Sequence, residues 1–142
     1  MTTSMRRGII PEIKALLGGN TCDLGGGLRA EWEPGAIQVT FPNGRGQKVR
    51  YRRRGEHYLF TSRVATEGHL QHLSWKEISR EILLRNRLTE VVAFGVRNWH
   101  AVEAWVEQRA STLRTEKLKF YVAHLAREAD RFEFLLTGKD IH

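Results

Sequence analysis

Residues 47–64 read QKVRYRRRGEHYLFTSRV, and this stretch decides the fold. Val49 and Tyr51 alternate with Lys48, Arg50 and Arg52, the period of two that a half-buried strand requires. Arg54-Gly55-Glu56 reverses the chain. Beyond it, Tyr58 and Phe60 continue the inward face on a second strand, so that Gln47 to Arg53 and His57 to Val64 form a hairpin with one apolar and one charged side.

Working outward to the N-terminus, Pro42-Asn43-Gly44 and Pro34-Gly35 mark two further reversals. Between them Ile37, Val39 and Phe41 face one way while Gln38 and Thr40 face the other, and Leu28-Arg29-Ala30-Glu31-Trp32 alternates in the same manner. The result is a four-stranded meander. Gly25-Gly26-Gly27 ahead of it reads as turn punctuation. Residues 9–17 (IIPEIKALL) read as a short amphipathic helix, with Pro11 in its first turn and Gly18-Gly19-Asn20 at its end.

Outward to the C-terminus, Ser74-Trp75-Lys76-Glu77 has capping-box spacing and opens a helix over 75–87. Trp75, Ile78, Ile82 and Arg85 share one side of it, and Leu84 and Leu88 widen the stripe so that it covers a sheet. Val91 to Val96 is rich in β-branched residues and reads as a strand. Residues 101–107 pair with it across Asn98-Trp99-His100, although alanine, glutamate and tryptophan at that spacing also suit a helix. From 113 to 137, Leu118, Val122, Leu125, Ala129, Phe132 and Leu136 form one helical stripe, closed by Gly138. The fold class is α+β, an antiparallel sheet of about six strands packed by helices in the order α-β-β-β-β-α-β-β-α.

The chain has 142 residues, 41% hydrophobic and 27% charged, which fits one soluble domain spanning 1–142 rather than a disordered or membrane protein. Its single cysteine, Cys22, forms no intrachain bridge and suits a reducing compartment. Ile9-Ile10-Pro11 is too short for a signal-peptide core and no later run approaches membrane-spanning length, so the expected location is cytoplasmic. The net charge of +7 is local: from Arg45 to Arg63 there are seven basic residues against one acid, Glu56. The C-terminal helix mixes its signs and reads as an ordinary solvated face.

The element order, with the strand-turn-strand of 91–109 leading into Glu116-Lys117-Leu118 and then Ala126-Arg127-Glu128-Ala129-Asp130-Arg131-Phe132-Glu133, resembles the YbjN-like group of bacterial proteins, which is similar in fold to type III secretion chaperones. The resemblance runs from Ile9 to Gly138. It implies an α+β sandwich that forms a homodimer and binds other proteins, often in extended form, without enzymatic activity.

The residues themselves offer no catalytic constellation. Of the six histidines only His69 and His72 lie close together, and no thiolate pair accompanies them, so no metal site is expected. Gly25-Gly26-Gly27 and Gly44-Arg45-Gly46 lack the endings of phosphate-binding loops, and no cofactor is expected. Cys22 has no identified base and reads as a passive thiol. Glu31, Glu33, Glu103 and Glu107 alternate on strands as a wet face does.

The strong chemical feature is a basic row. Lys48, Arg50, Arg52 and Arg54 project from one strand face at intervals of about 7 Å. Three readings apply: a solvated face that also discourages edge aggregation, a dock for an acidic protein segment, and a track for phosphates. They are ranked in that order, because Tyr51 points to the opposite face and no aromatic platform is visible beside the row. Trp32 and Trp75 fall on core positions, whereas Trp99 in its turn is a candidate interface anchor. The sequence therefore describes a non-enzymatic protein-interaction module with candidate partner-binding residues Lys48, Arg50, Arg52, Arg54 and Trp99. The alternative is a nucleic-acid-binding domain using the basic strand 45–54.

Overall fold

The computed structural model describes residues 12–98 and 101–138. The elements run α1 (Ile13–Leu17), β1 (Thr21–Gly25), β2 (Leu28–Glu33), β3 (Ala36–Thr40), β4 (Gly46–Arg54), β5 (His57–Thr66), α2 (Trp75–Leu88), β6 (Ala93–Arg97), β7 (Ala101–Arg109) and α3 (Thr115–Thr137), with short 3-10 turns at Glu67–Leu70 and Ala110–Thr112. All seven strands join one antiparallel sheet in the order β1-β2-β3-β4-β5-β7-β6.

The expected meander is present, and it gains a strand at its start. Thr21–Gly25, read from sequence as punctuation, pairs with β2 through Cys22↔Ala30 and Gly25↔Leu28. Gly26 and Gly27 make the link at φ +63° and +82°, the left-handed conformation at both central positions that a tight hairpin with the right twist demands. The glycines are thus a hairpin turn rather than a linker. Residues 101–109 form a strand and not the competing helix. The strand after α2 spans 93–97, two residues later at its start than the sequence suggests. Pro11 and the first residues of the expected N-terminal helix lie outside the described residues.

The core lies on one face of the sheet. Val49, Phe60, Val64, Val102 and Ala104 from β4, β5 and β7 are fully buried there beneath Leu118, Val122, Leu125, Ala129 and Phe132 of α3, whose apolar stripe is the one legible in sequence. Phe94 of β6 meets Phe132 edge-on at 4.8 Å between ring centroids. Tyr51, Tyr58 and Phe60 form an aromatic cluster across β4 and β5, and Trp32 Nε1 donates to the Tyr51 hydroxyl at 2.7 Å. One polar pair interrupts this face: Gln47 Nε2 donates to Ser62 Oγ at 2.7 Å, and Ser62 Oγ donates to the Lys48 carbonyl at 2.9 Å. The Gln47 amide nitrogen and the Ser62 hydroxyl thus each find a partner in the other strand, which offsets part of the cost of burying them.

Helix α2 starts as expected. Ser74 Oγ accepts from the Glu77 amide and the Glu77 carboxylate accepts from the Ser74 amide, both at 3.1 Å. These bonds hold the Glu77 carboxyl below its ordinary range. The width of its buried stripe differs from expectation. Ile78 and Ile82 are buried, but Leu84 and Leu88 point to solvent. The helix packs beside the edge strand β6 and not over the middle of the sheet, so only one narrow stripe meets protein. Among the described residues no helix is long and apolar enough to cross a membrane.

Candidate partner-binding site

Strand alternation places the basic row as expected. Gln47 and Val49 are buried, while Lys48, Arg50, Arg52 and Arg54 are exposed on the opposite, helix-free face. Lys48 Nζ sits 2.9 Å from Glu33. Among the described residues, Arg50, Arg52 and Arg54 have no carboxylate partner. Arg53 is drawn aside, donating to the Gly55 carbonyl and lying over the Tyr58 ring. Trp99 lies outside the described residues.

Pairing register assembles the rest of this outer face. Arg50 is opposite Thr61, Thr61 is opposite Trp105, and Trp105 is opposite Ala93, one line across four strands. Arg52 is likewise opposite Leu59, which is opposite Glu107, and Arg63 is opposite Glu103. Arg50, Arg52, Leu59, Thr61, Arg97 and Glu103 line an open cleft of about 560 Å³. A second of about 300 Å³, lined by Gln38, Lys48, Arg50 and Arg63, adjoins it at Arg50. Glu103 is answered by Arg97 at 3.1 Å.

Trp105 therefore shares a face with the basic row, a placement that needs the β5–β7 pairing and is invisible to local pattern. Its indole is drawn toward β6: a methyl group on Gly95 would stand 2.8 Å from the ring. The ring closes the sheet over a glycine and is not among the residues lining the cleft.

The second surface lies on the helix side of the sheet. Leu83, Leu84 and Leu88 of α2 and Phe120, Phe134 and Leu135 of α3 are 49–67% exposed. Five of the six, Phe120 apart, fall in the C-terminal halves of their helices. Leu84, Leu88, Phe132 and Leu135 line a small cleft between α2 and α3. On its other side Leu135 joins Phe134, Leu28, Phe41 and Pro42 around a groove of about 450 Å³. An Arg45–Asp130 ion pair crosses this groove from the β3–β4 turn to α3. One apolar strip therefore runs from α2 across α3 to the β3–β4 turn. The sequence pattern places Leu84 and Leu88 in the stripe that covers the sheet; both are exposed instead.

The groups weighed for chemistry are dispersed. His69 Nδ1 lies 3.1 Å from Thr66 Oγ1, and His72 Nε2 lies 3.2 Å from the Leu136 carbonyl oxygen. Burial pushes the Cys22 thiol up, with Lys119 partly opposing it, so the thiol holds its proton at neutral pH. Among the described residues no three His, Cys, Asp or Glu side chains are grouped to hold a metal ion.

No protein-family model and no curated protein sequence matches the chain. Solved structures do. A chain in the crystal structure of the ExsC–ExsE complex is similar over 75% of this chain and 80% of its own, at 19% identity and a TM-score of 0.53. A chain of the HopA1–SchA chaperone–effector complex is similar over 97% and 89%, at 10% identity and a TM-score of 0.48. One in the structure of the Yersinia pestis type III secretion chaperone SycH with a stable fragment of YscM2 is similar over 69% and 80%, at 15% identity and a TM-score of 0.45. The first likeness is one of fold. The α+β class expected from sequence, secretion-chaperone-like with an antiparallel sheet packed by helices, is the class found, with seven strands where about six were expected.

Proposed function

We propose that this protein is a non-enzymatic, cytoplasmic protein-interaction module of chaperone-like kind, a single domain related to the YbjN-like group. The observation that carries the reading is the continuous apolar strip from Leu84 and Leu88 through Leu135 and Phe134 to Phe41. Single exposed leucines are ordinary, but a contiguous strip of large apolar groups rimmed by charge marks a contact surface. Its rim holds Glu81, Arg85, Arg127 and Arg131. A protein chain supplies the apolar side chains that fill such a strip; a nucleic acid does not. The fold neighbour from the ExsC–ExsE complex adds support, being itself part of a two-protein assembly. A homodimer through the α2 leucines uses the same surface. The basic row Lys48, Arg50, Arg52 and Arg54, with Trp99, is a further contact region.

The test is capture from the native host with tagged wild type and the Leu84→Asp/Leu88→Asp double variant, each split into nuclease-treated and untreated halves. Expected is a discrete set of proteins that survives nuclease and high salt and is lost from the variant. Light scattering of the two purified proteins separates a second copy from a foreign partner. Captured nucleic acid that vanishes with nuclease or salt overturns the reading.

A further inference from the structure

We infer that the helix-free face of the sheet is a second binding site, for an acidic protein segment laid extended along β4 in the trough formed by the two clefts that meet at Arg50. The proposal deepens the protein-interaction reading above and rests on it, because it names the chemistry of a partner segment and a surface separate from the apolar strip.

Charge comes first. Lys48, Arg50 and Arg52 stand at alternate positions of one strand, about 7 Å apart, and Arg63 of the next strand lines the same cleft as Lys48 and Arg50. Arg50, Arg52 and Arg63 have no carboxylate partner among the described residues. Guanidinium groups take carboxylates through two parallel hydrogen bonds, and an extended peptide with acids at every second residue repeats at the same interval as the row. The register match needs no rearrangement of the sheet.

Shape and borders choose the kind of polyanion. The basic stripe is narrow: Glu31 and Glu33 of β2 flank it on one side, and Glu103 and Glu107 of β7 on the other. A nucleic-acid strand carries a charge on every residue and gains affinity from broad phosphate neutralisation, so these carboxylate borders oppose it. A peptide with intermittent charge fits between them, and the borders accept its backbone amides. Leu59 and Thr61 line the cleft beside Arg50 and Arg52. Base stacking needs an open aromatic platform; the Trp105 ring is committed to Gly95, and the Tyr51 hydroxyl is held by Trp32 within the inner aromatic cluster.

The experiment measures fluorescence anisotropy of the full chain with three labelled probes: a peptide of alternating glutamate and serine, the same peptide with glutamine for glutamate, and oligothymidylate. Saturable binding of the acidic peptide alone is expected, weakening as ionic strength rises through the physiological range. The Arg50→Glu/Arg52→Glu variant loses at least about tenfold in affinity, whereas Arg80→Glu/Arg87→Glu on α2, with the same change in net charge, loses little. Circular dichroism of both variants establishes that they fold. Equal loss in the two variants reduces the effect to net charge and overturns the site. Tighter binding of oligothymidylate overturns the choice of a peptide, and absence of binding at low salt overturns the proposal outright. If capture through the apolar strip survives while the acidic peptide fails, this inference alone falls. If the peptide binds at Arg50 and Arg52 but capture through the strip fails, the leucine surface is the part that is wrong.

Discussion

The two faces of β4 and β5 are made by the same residues in alternation, yet they obey different rules. On the inner face Val49, Phe60 and Val64 are sealed under α3, and each side chain is fixed by its neighbours. On the outer face Lys48, Arg50, Arg52 and Arg63 are held mainly by the backbone that carries them. The inner face sets the fold. The outer face has only to stay soluble, so its chemistry is free to serve a partner.

The largest effect that tests this contrast is a cavity on the inner side. Phe60→Ala should cost about 3–5 kcal/mol in urea unfolding, because Phe60 is fully buried between Tyr51 and Tyr58. A cost near zero would mean that the core does not lie where the burial pattern puts it.

The second prediction sharpens the contrast at a tightly packed spot on the outer face. Gly95→Ala places a methyl group 2.8 Å from the Trp105 ring and should cost about 1–3 kcal/mol. Adding Trp105→Ala should relieve the clash, visible as a favourable coupling in a double-mutant cycle.

The third concerns the cover of the inner face. Ser74→Ala removes the side-chain cap of α2 and should lower thermal stability by about 1 kcal/mol near neutral pH. The Glu77 carboxyl lies below its ordinary 4.5 in the folded state, so its contribution is present above that value and disappears as pH falls through the depressed one. The gap between wild type and variant should therefore narrow in acid.

The smallest effect is the complement of the first. Arg52→Ala on the outer face should change stability by no more than about 0.5 kcal/mol. A larger loss would show that the basic row is structural.

Most of the fold was legible because its signals are local. Alternation from Leu28 to Val64 with a turn at each reversal gives the meander, and the Ser74–Glu77 spacing gives the start of α2. Strand β1 was missed because only Cys22 and Leu24 of its five residues turn toward the core, too short an alternation to stand out beside three glycines. The apolar strip was misread for a different reason. Leu84 and Leu88 have the spacing of core residues, and what exposes them is the docking of α2 at the sheet edge, a tertiary fact that periodicity does not carry. The basic row was visible from alternation alone, but Arg97 and Trp105 joined its face only once β7 was known to lie between β5 and β6.

That strand order also shapes how the chain is made. Strands β1 to β5 pair in sequence, each with the one just before it, and can form as they leave the ribosome. The partner on the far side of β5 is β7, with α2 and β6 still to be synthesised first. At about 5–20 residues per second, residues 67–109 take roughly 2 to 9 s to emerge. During that interval β5, the longest strand at ten residues, is an open edge rich in Tyr, Leu, Phe, Thr and Val. Unpaired edges of this composition recruit other chains, so the nascent protein passes through an aggregation-prone stage that ends when β7 inserts.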